Sequence, residues 1–453
     1  MAGVNRGTDT GADQGHTGAG QAETGPGEAT GPDEVTGTDQ ATGADELGNT
    51  AGWGANLLML RGHNAALVLD LLRAAGEGGI SRLELAERTR LTPQAVSKIT
   101  ARLRTEGMAA EAGRRASTGG KPRTVLRLVP SAAHAVGLHL DRDELTAVLM
   151  DLSGTPVAVR TVPFDLGAGA ERVVEAAAEQ VEAVRADAVR TDVLRADVLR
   201  ADALRLDAGA VTDTGARTRT DTGARTGTDS APGARDVLGV GVAMPGPLDH
   251  VTGVPRRVTG FPQWEGFPLR DALAARLHLP VVLDKDTNAA ALGLTLRGPG
   301  DSFAYLHLGT GLGAGLVLGG ALHRGGRTGA GEFGHQVIQL DGPVCDCGHR
   351  GCIEALCLAA VARGEPAEAA RVLGAGAANL VELLDIDRVL LGGRTIAAHE
   401  ECFVRGVGAV VADRARCAVV PVTLAEGGAH PVAEGAAQLV LAPLFGHGRG
   451  RRS

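Results

Sequence analysis

Apolar residues fall at helical spacing soon after residue 55. Leu57, Leu58 and Leu60 follow Asn56, and Leu67, Val68, Leu71 and Leu72 continue the stripe. Gly76, Gly78 and Gly79 end this first helix. Ser81-Arg-Leu-Glu84 has the capping-box pattern, whose hydroxyl and carboxylate satisfy the free amides of a helical first turn; Leu83, Leu85 and Ala86 are expected inside. After a break at Thr89-Arg90-Leu91, Thr92 caps a third helix with Pro93 at its first position. That helix stops at Gly107. Ala95, Val96, Ile99 and Leu103 form its inward stripe, leaving Gln94, Ser97, Lys98, Arg102 and Arg104 pointing elsewhere. Over Glu111–Leu128, the apolar Val125, Leu126 and Leu128 predict a hairpin. Its tip, Ser117 to Gly120, is flanked by Arg114, Arg115, Lys121, Arg123 and Arg127. Two helices joined by a tight turn, followed by a basic hairpin, predict a winged helix-turn-helix. A three-helix module for protein contacts is the alternative.

Beyond this head the pattern changes. Ala135 to Val159 alternates apolar and polar residues with Gly154 as a turn, which predicts two strands. Arg172 to Val184 predicts a helix. Arg185, Arg190, Arg195, Arg200 and Arg205 then recur every five residues, each followed two positions later by Asp. A period of five fits neither helix nor strand, so residues 185–235 read as a low-complexity, mobile insertion; a long charged helix is the other option. Ordered strands resume at Val237 to Gly246, Val281 to Asp284, Ser302 to Leu308, Gly315 to Leu318 and Arg388 to Leu391, with helices between them. Alternating strands and helices predict an α/β domain, with ligands at the strand ends.

The 453 residues suffice for two or three domains, and 44% hydrophobic with 22% charged residues is a soluble balance. No apolar run reaches the length of a membrane span, and the polar N-terminus lacks a secretory signal, so a cytoplasmic location is expected. The net charge of −8 is uneven. Residues 1–50 hold nine acids and one Arg, whereas residues 57–130 hold thirteen Lys/Arg against six Asp/Glu. A basic block on an acidic background points toward nucleic acid. Residues 1–52, with Thr-Gly recurring, have almost nothing to bury and read as a disordered tail.

The densest chemistry lies between Gly331 and Glu354. Three of six cysteines, Cys345, Cys347 and Cys352, fall within eight residues, with His335 just upstream. Three thiolates and an imidazole make a closed tetrahedral set suited to structural Zn2+. Gly348 and Gly351 let the backbone bend around one ion. Cys357, Cys402 and Cys417 read as small apolar residues, and His349 stays unassigned. Trp264, beside Pro262 and Gly266, suits either stacking on a sugar or simple packing.

The order of these pieces resembles the ROK family of bacterial sugar-responsive repressors and sugar kinases. The likeness covers about residues 55–184 and 236–446. Gly331-Glu-Phe-Gly-His335 with the cysteine run carries it, and Arg61 to Asn64, Ser81 to Ala86 and Thr118 to Pro122 resemble the family's repressors. The resemblance implies a multidomain chain: a winged helix-turn-helix joined to an actin-like ATPase fold of two α/β lobes around a sugar cleft. The domains would be a tail (1–54), the head (55–130), the sugar-binding domain (131–446, interrupted at about 185–235) and a short tail (447–453). His335, Cys345, Cys347 and Cys352 would hold zinc. Asp286, Asn288, Glu332, His335 and Glu354 would bind sugar, since carboxylates accept well from sugar hydroxyls. Asp286 matches the family's catalytic base and would act only in a kinase.

Four departures qualify the likeness. Lys285 stands where the family usually has Asn. The first phosphate motif, Asp-x-Gly-x-Thr in the kinases, reads Asp141-Arg-Asp-Glu-Leu145, with a carboxylate where backbone should approach phosphate. Gly309-Thr-Gly-Leu-Gly313 and Gly392-Gly393 still resemble the second phosphate loop and the adenosine loop. Only nineteen residues separate Glu354 from Gly374, and the 185–235 block is atypical. The expected function is therefore a non-enzymatic regulator, most simply a repressor of carbohydrate genes. Gln94, Ser97, Lys98 and Arg102 would face operator DNA, and Arg114, Arg115, Lys121 and Arg123 its phosphates. A sugar or sugar phosphate would be the effector, and a homodimer or higher homo-oligomer the working form. An ATP-dependent sugar kinase with an added head, or a DNA binder whose cleft no longer holds sugar, are the alternatives.

Overall fold

The computed structural model describes residues 62–115, 123–209, 237–298, 300–414 and 420–447. Side chains at 114–115 and 191–209 lie outside the description, as do Leu57, Leu58, Leu60, Arg61, Lys121 and Cys417.

The chain begins with α1 (His63–Ala75), the short β1 (Ile80–Ser81), α2 (Arg82–Thr89), α3 (Pro93–Thr105) and the hairpin β2 (Ala109–Arg115) and β3 (Arg123–Leu128). Both sequence caps are present. The Glu84 amide donates to Ser81 Oγ at 3.3 Å while the Ser81 amide donates to Glu84 Oε2 at 2.8 Å, and the Ala95 amide donates to Thr92 Oγ1. Arg90 turns the chain between α2 and α3 in the left-handed region. β1, β3 and β2 form one antiparallel sheet. Leu85 and Ala86 are buried as expected, but Leu83 is 43% exposed, because it lies on the face of α2 turned from the head's core.

The body follows: β4 (His134–Leu140), β5 (Glu144–Asp151), β6 (Pro156–Pro163), α4 (Ala170–Gly209), β7 (Val237–Met244), the small pair β8 (Leu248–Asp249) and β9 (Val254–Pro255), α5 (Leu269–Leu277), β10 (Val281–Lys285) and α6 (Asp286–Thr295). Then come β11 (Phe303–Leu308), β12 (Leu312–Leu318), β13 (Ala321–Leu322), α7 (Ile353–Ala362), α8 (Pro366–Leu384), β14 (Arg388–Gly392), α9 (Arg394–Ala397), α10 (Glu400–Arg414), β15 (Val422–Leu424) and α11 (Pro431–Leu441). Two five-stranded sheets result, ordered β10-β7-β4-β5-β6 and β13-β12-β11-β14-β15. Each mixes parallel crossovers with an antiparallel edge.

The stretch expected to give two strands gives three. Besides the turn at Gly154, the chain reverses at Arg142-Asp143, between β4 and β5. The five-residue repeat also does not stop the helix, since α4 continues to Gly209. Its buried residues Val173, Ala177, Val181, Val184 and Ala188 keep three- and four-residue steps, so the helical stripe runs into the arginine block. Residues 210–236 lie outside the description.

The head has no separate core. Val68, Leu69, Leu72, Leu85 and Leu126 join Ala135, Val148, Met150, Ala433, Leu441 and Phe445 in one apolar cluster. Close approach seats α11 on the first sheet: a Cβ at Gly137 or Gly241 would overlap the carbonyls of Ala433 or Ala436. α11 also packs backbone-close on α6, where a Cβ at Gly435 would overlap Ala289. No described helix is long and apolar enough to cross a membrane.

Candidate functional site

A cleft opens where the strands of the two sheets end. β4 delivers Asp141 and Arg142, and β7 delivers Pro245 and Gly246. The β10–α6 junction gives Lys285 and Asp286, and the β11–β12 turn gives Thr310 and Gly311. The Gly331 loop contributes Glu332 and His335, and α7 contributes Glu354.

Lys285 is buried among these groups. Its Nζ donates to Glu332 Oε1 at 3.0 Å and to the Ala330 carbonyl. Gly331, at φ +87°, must be glycine, because a Cβ would overlap the Ala314 carbonyl. Asp286 starts α6 and accepts from the Thr287 amide at 2.6 Å. Burial pushes its carboxyl up to about 7, and the charges of Asp141 and Glu332 add to the rise, against the Thr287 amide and Lys285. Glu354, in the first turn of α7, accepts from the Leu312 amide at 2.7 Å and lies 4.0 Å from Cys345 Sγ. It therefore ties the cleft to the cysteine loop.

Asn288 does not line the cleft. It is buried one turn into α6 and donates to Asp284 Oδ1 at 2.8 Å. Asp284 also receives Arg324 Nε at 2.7 Å. This buried pair braces the junction that carries Lys285 and Asp286. In the sequence Asp284 is marked only as the end of a strand. Arg324 gave no signal, because it comes from a loop forty residues away. Trp264 is fully buried, with its Nε1 donating to the Leu166 carbonyl at 3.1 Å, so packing accounts for it.

His335, Cys345, Cys347 and Cys352 place one donor atom each within 4.8 Å of all the others. Cys345 Sγ and His335 Nδ1 are 3.7 Å apart, as are Cys347 Sγ and Cys352 Sγ. The edge of a tetrahedron with metal–sulfur bonds of ~2.3 Å is about 3.8 Å. The four donors therefore have the spacing of a closed metal site and could hold a metal ion. Burial, then the neighbouring thiols, push Cys352 up to about 12. At Cys347 burial works upward, but hydrogen bonding with His349 and the other cysteines brings the thiol down to about 7. His349 Nδ1 is 3.5 Å from Cys347 Sγ and lies outside the four-donor set. Cys357 is buried and Cys402 half-buried, as small apolar residues would be.

At the altered phosphate motif, Asp143 is bound by Arg394 Nη2 at 2.8 and 2.9 Å. Arg394 directly follows Gly392-Gly393. Thr310 Oγ1 donates to Asp141 Oδ1 at 2.9 Å. Leu145 is buried in β5. The position that a phosphate-admitting motif keeps open thus carries an ion pair between the two lobes.

On the head, Gln94, Ser97 and Lys98 are exposed on one side of α3, and Arg123 is exposed at the start of β3. Arg102 is half-buried and engaged by Glu106 Oε1 at 2.9 Å, so it is less free than the sequence implied. Arg114 and Arg115 sit on β2, opposite Thr124 and Arg123.

Two five-stranded sheets meeting at a polar cleft define a two-lobed, actin-like α/β protein. Residues 228–363 match the ROK family. The kanosamine kinase of Amycolatopsis mediterranei (strain S699) is 32% identical over 214 residues, which are 40% of this chain and 69% of that enzyme. The chain belongs to the ROK family. A putative xylose repressor of Caldicellulosiruptor sp. (strain Rt8B.4) is 27% identical over 279 residues, 61% of this chain and 59% of that protein. The chain thus spans about three-fifths of the length of the xylose repressors it matches. A crystal structure of a ROK family transcriptional regulator, a homologue of the E. coli MLC protein, superposes with a TM-score of 0.60 at 20% identity, covering 84% of this chain and 96% of that one.

Proposed function

We propose that this chain is a sugar-responsive transcriptional regulator, a repressor of genes for carbohydrate uptake or catabolism. The observation that carries this reading is the single apolar core joining the three-helix head to the lobe that bears the cleft. A head fused in this way feels changes in the lobe. The head is read as a winged helix-turn-helix with α3 as its recognition helix. Gln94, Ser97 and Lys98 would approach base edges, with Arg102 beside them, and Arg114, Arg115, Lys121 and Arg123 would neutralise phosphates. Paired half-sites would be read by a homodimer.

In the cleft, Glu332, Glu354 and Asp286 would accept from sugar hydroxyls, with His335 bridging the sugar and the metal loop. His335, Cys345, Cys347 and Cys352 suit zinc by donor type and spacing. Zinc would supply rigidity, fixing the loop that aims His335 and Glu354. Effector binding would release or strengthen DNA binding only insofar as it favours one pose of the paired heads. Fluorescence anisotropy with DNA from upstream of the gene, at low salt and with a panel of sugars, tests the reading. Salt-sensitive binding altered by one sugar is expected. No binding at low salt would sink it.

One observation favours a second reading, an ATP-dependent sugar kinase. Asp286, with its carboxyl raised to about 7, is poised as a general base would be. The Asp143–Arg394 pair opposes it. ADP release with any hexose, abolished by Asp286→Ala, would reverse the ranking.

A further inference from the structure

Most charged side chains around the cleft are paired with one another. Asp284 is met by Arg324 at 2.7 Å, Glu332 by Lys285 at 3.0 Å and Asp143 by Arg394 at 2.8 Å, while Asp141 lies 4.0 Å from the same Arg394 guanidinium. Glu354 accepts from the Leu312 amide, and burial raises the carboxyl of Asp286 to about 7. Arg142 has no such counterpart. Among the described residues its guanidinium enters no ion pair; its backbone amide alone donates to Asp141.

The placement of this guanidinium is specific. Its central carbon lies 5.5 Å from the centroid of the Phe261 ring. One Nη is 3.7 Å from where a Cβ of Gly260 would stand, and the other is 3.7 Å from the same point on Gly311. The group therefore spans from a loop of the first lobe to the β11–β12 turn of the second, across the mouth of the cleft. Phe261 lies within cation–π reach of the guanidinium, and Arg142 lines the cavity.

Resting on the sugar-binding reading above, we infer that the effector is an anionic monosaccharide, and that Arg142 binds its charged substituent. Glu332, His335 and Glu354 would hold the hydroxyls deeper in the cleft, leaving the substituent at the mouth. A planar, half-buried guanidinium offers two parallel N–H donors, which match the oxygen spacing of a phosphate monoester or a carboxylate. A neutral sugar would leave this cation uncompensated as the cleft fills. Lys285 does not compete for the role, because its charge is spent on Glu332 and its side chain is 3% exposed. In the sequence Arg142 is inconspicuous, lying inside the altered phosphate motif between Asp141 and Asp143.

Calorimetric titration of the full, metal-loaded chain tests the inference. Glucose, galactose and N-acetylglucosamine would each be compared with their 6-phosphates, and the first two also with their uronates. Inorganic phosphate alone would be titrated in parallel. For at least one skeleton, an anionic form should bind about tenfold or more tightly than its neutral parent. Which anionic form wins, phosphate or uronate, identifies the substituent. Raising the salt should narrow the gap. Arg142→Gln should bring the ratio toward one and Arg142→Lys should restore part of it, with melting curves of both variants confirming folding. If Arg142→Gln does not fold, the wild-type ratio and its salt dependence decide. Neutral sugars binding as tightly as their anionic forms would overturn the inference but leave the sugar reading intact. So would a ratio unmoved in folded Arg142→Gln, or inorganic phosphate binding as tightly as the sugar phosphates. Failure of every sugar, neutral or anionic, would bring down the sugar reading itself.

Discussion

Lys285 Nζ stands 3.0 Å from Glu332 Oε1, with the lysine side chain 3% exposed and the glutamate side chain 34% exposed. The ammonium lies at the foot of the cleft, where its stem fills the space beside Gly246: a Cβ on Gly246 would come within 2.5 Å of Lys285 Cδ. The lysine is thus built into the walls and not draped over them. It holds the Glu332 carboxylate in place at the cleft wall.

Lys285→Met should remove that control. The Glu332 carboxylate would be left beside the Ala330 carbonyl without its cation. A fully buried pair broken on one side costs 3–5 kcal/mol, and the partial exposure of Glu332 lowers the expectation to about 2 kcal/mol. Urea denaturation measures it. Gly246→Ala should also destabilise, and much less so in a Lys285→Ala background, with a coupling of about 1 kcal/mol. Strictly additive costs would show that the lysine stem does not pack there.

The four-donor cluster predicts about one zinc per natively purified chain. Cobalt replacing it should give thiolate charge-transfer absorption, weakened in Cys352→Ser. Chelation should lower the melting temperature, because binding energy of a structural metal is folding energy. An unchanged melting curve after complete metal removal would refute the assignment.

Asp286 predicts a pH dependence of stability. Its carboxyl is raised to about 7 in the folded chain by burial first, against about 4 when unfolded. Between these values the folded state binds more protons. Stability from this group is thus present below about pH 4 and is lost as pH climbs through 7. Asp286→Asn should flatten this fall and leave the chain more stable than the parent at pH 8, on the order of 2 kcal/mol given the contact of Asp286 with the open cleft. Parallel stability curves for parent and variant from pH 5 to 8 would contradict the shift.

On the head, Lys98→Ala should weaken DNA binding more than Arg102→Ala, because Arg102 is already engaged by Glu106 while Lys98 is exposed at the surface. Arg123→Ala should weaken binding to all sequences alike and reduce the salt slope by about one. Anisotropy titrations over a range of salt read both effects. Equal losses for Lys98 and Arg102 would place the DNA on a different face of α3.

Much was legible from local pattern. Ser81 with Glu84, and Thr92 before Pro93, mark helix starts because capping involves residues within one turn of each other. The spacing of Cys345, Cys347 and Cys352 announces their convergence for the same reason. The turn at Arg142-Asp143 was hidden, because it carries neither Gly nor Pro to break the pattern between β4 and β5. The exposure of Leu83 was likewise decided by what lies alongside.

The sequence by itself determined the α/β class, the basic head, the cysteine–histidine cluster and the altered phosphate motif, since each is written in neighbours along the chain. Only the tertiary structure decided that the head shares its core with the lobe, that Arg394 reaches Asp143 across 251 positions, that Asn288 turns from the cleft to Asp284, and that Arg142 stands beside Phe261 with no ion pair among the described residues. The reason is physical. Capping and metal-ligand spacing are short-range and survive in a linear reading, whereas the pairing of a charge depends on every group that folding brings within a few ångströms of it.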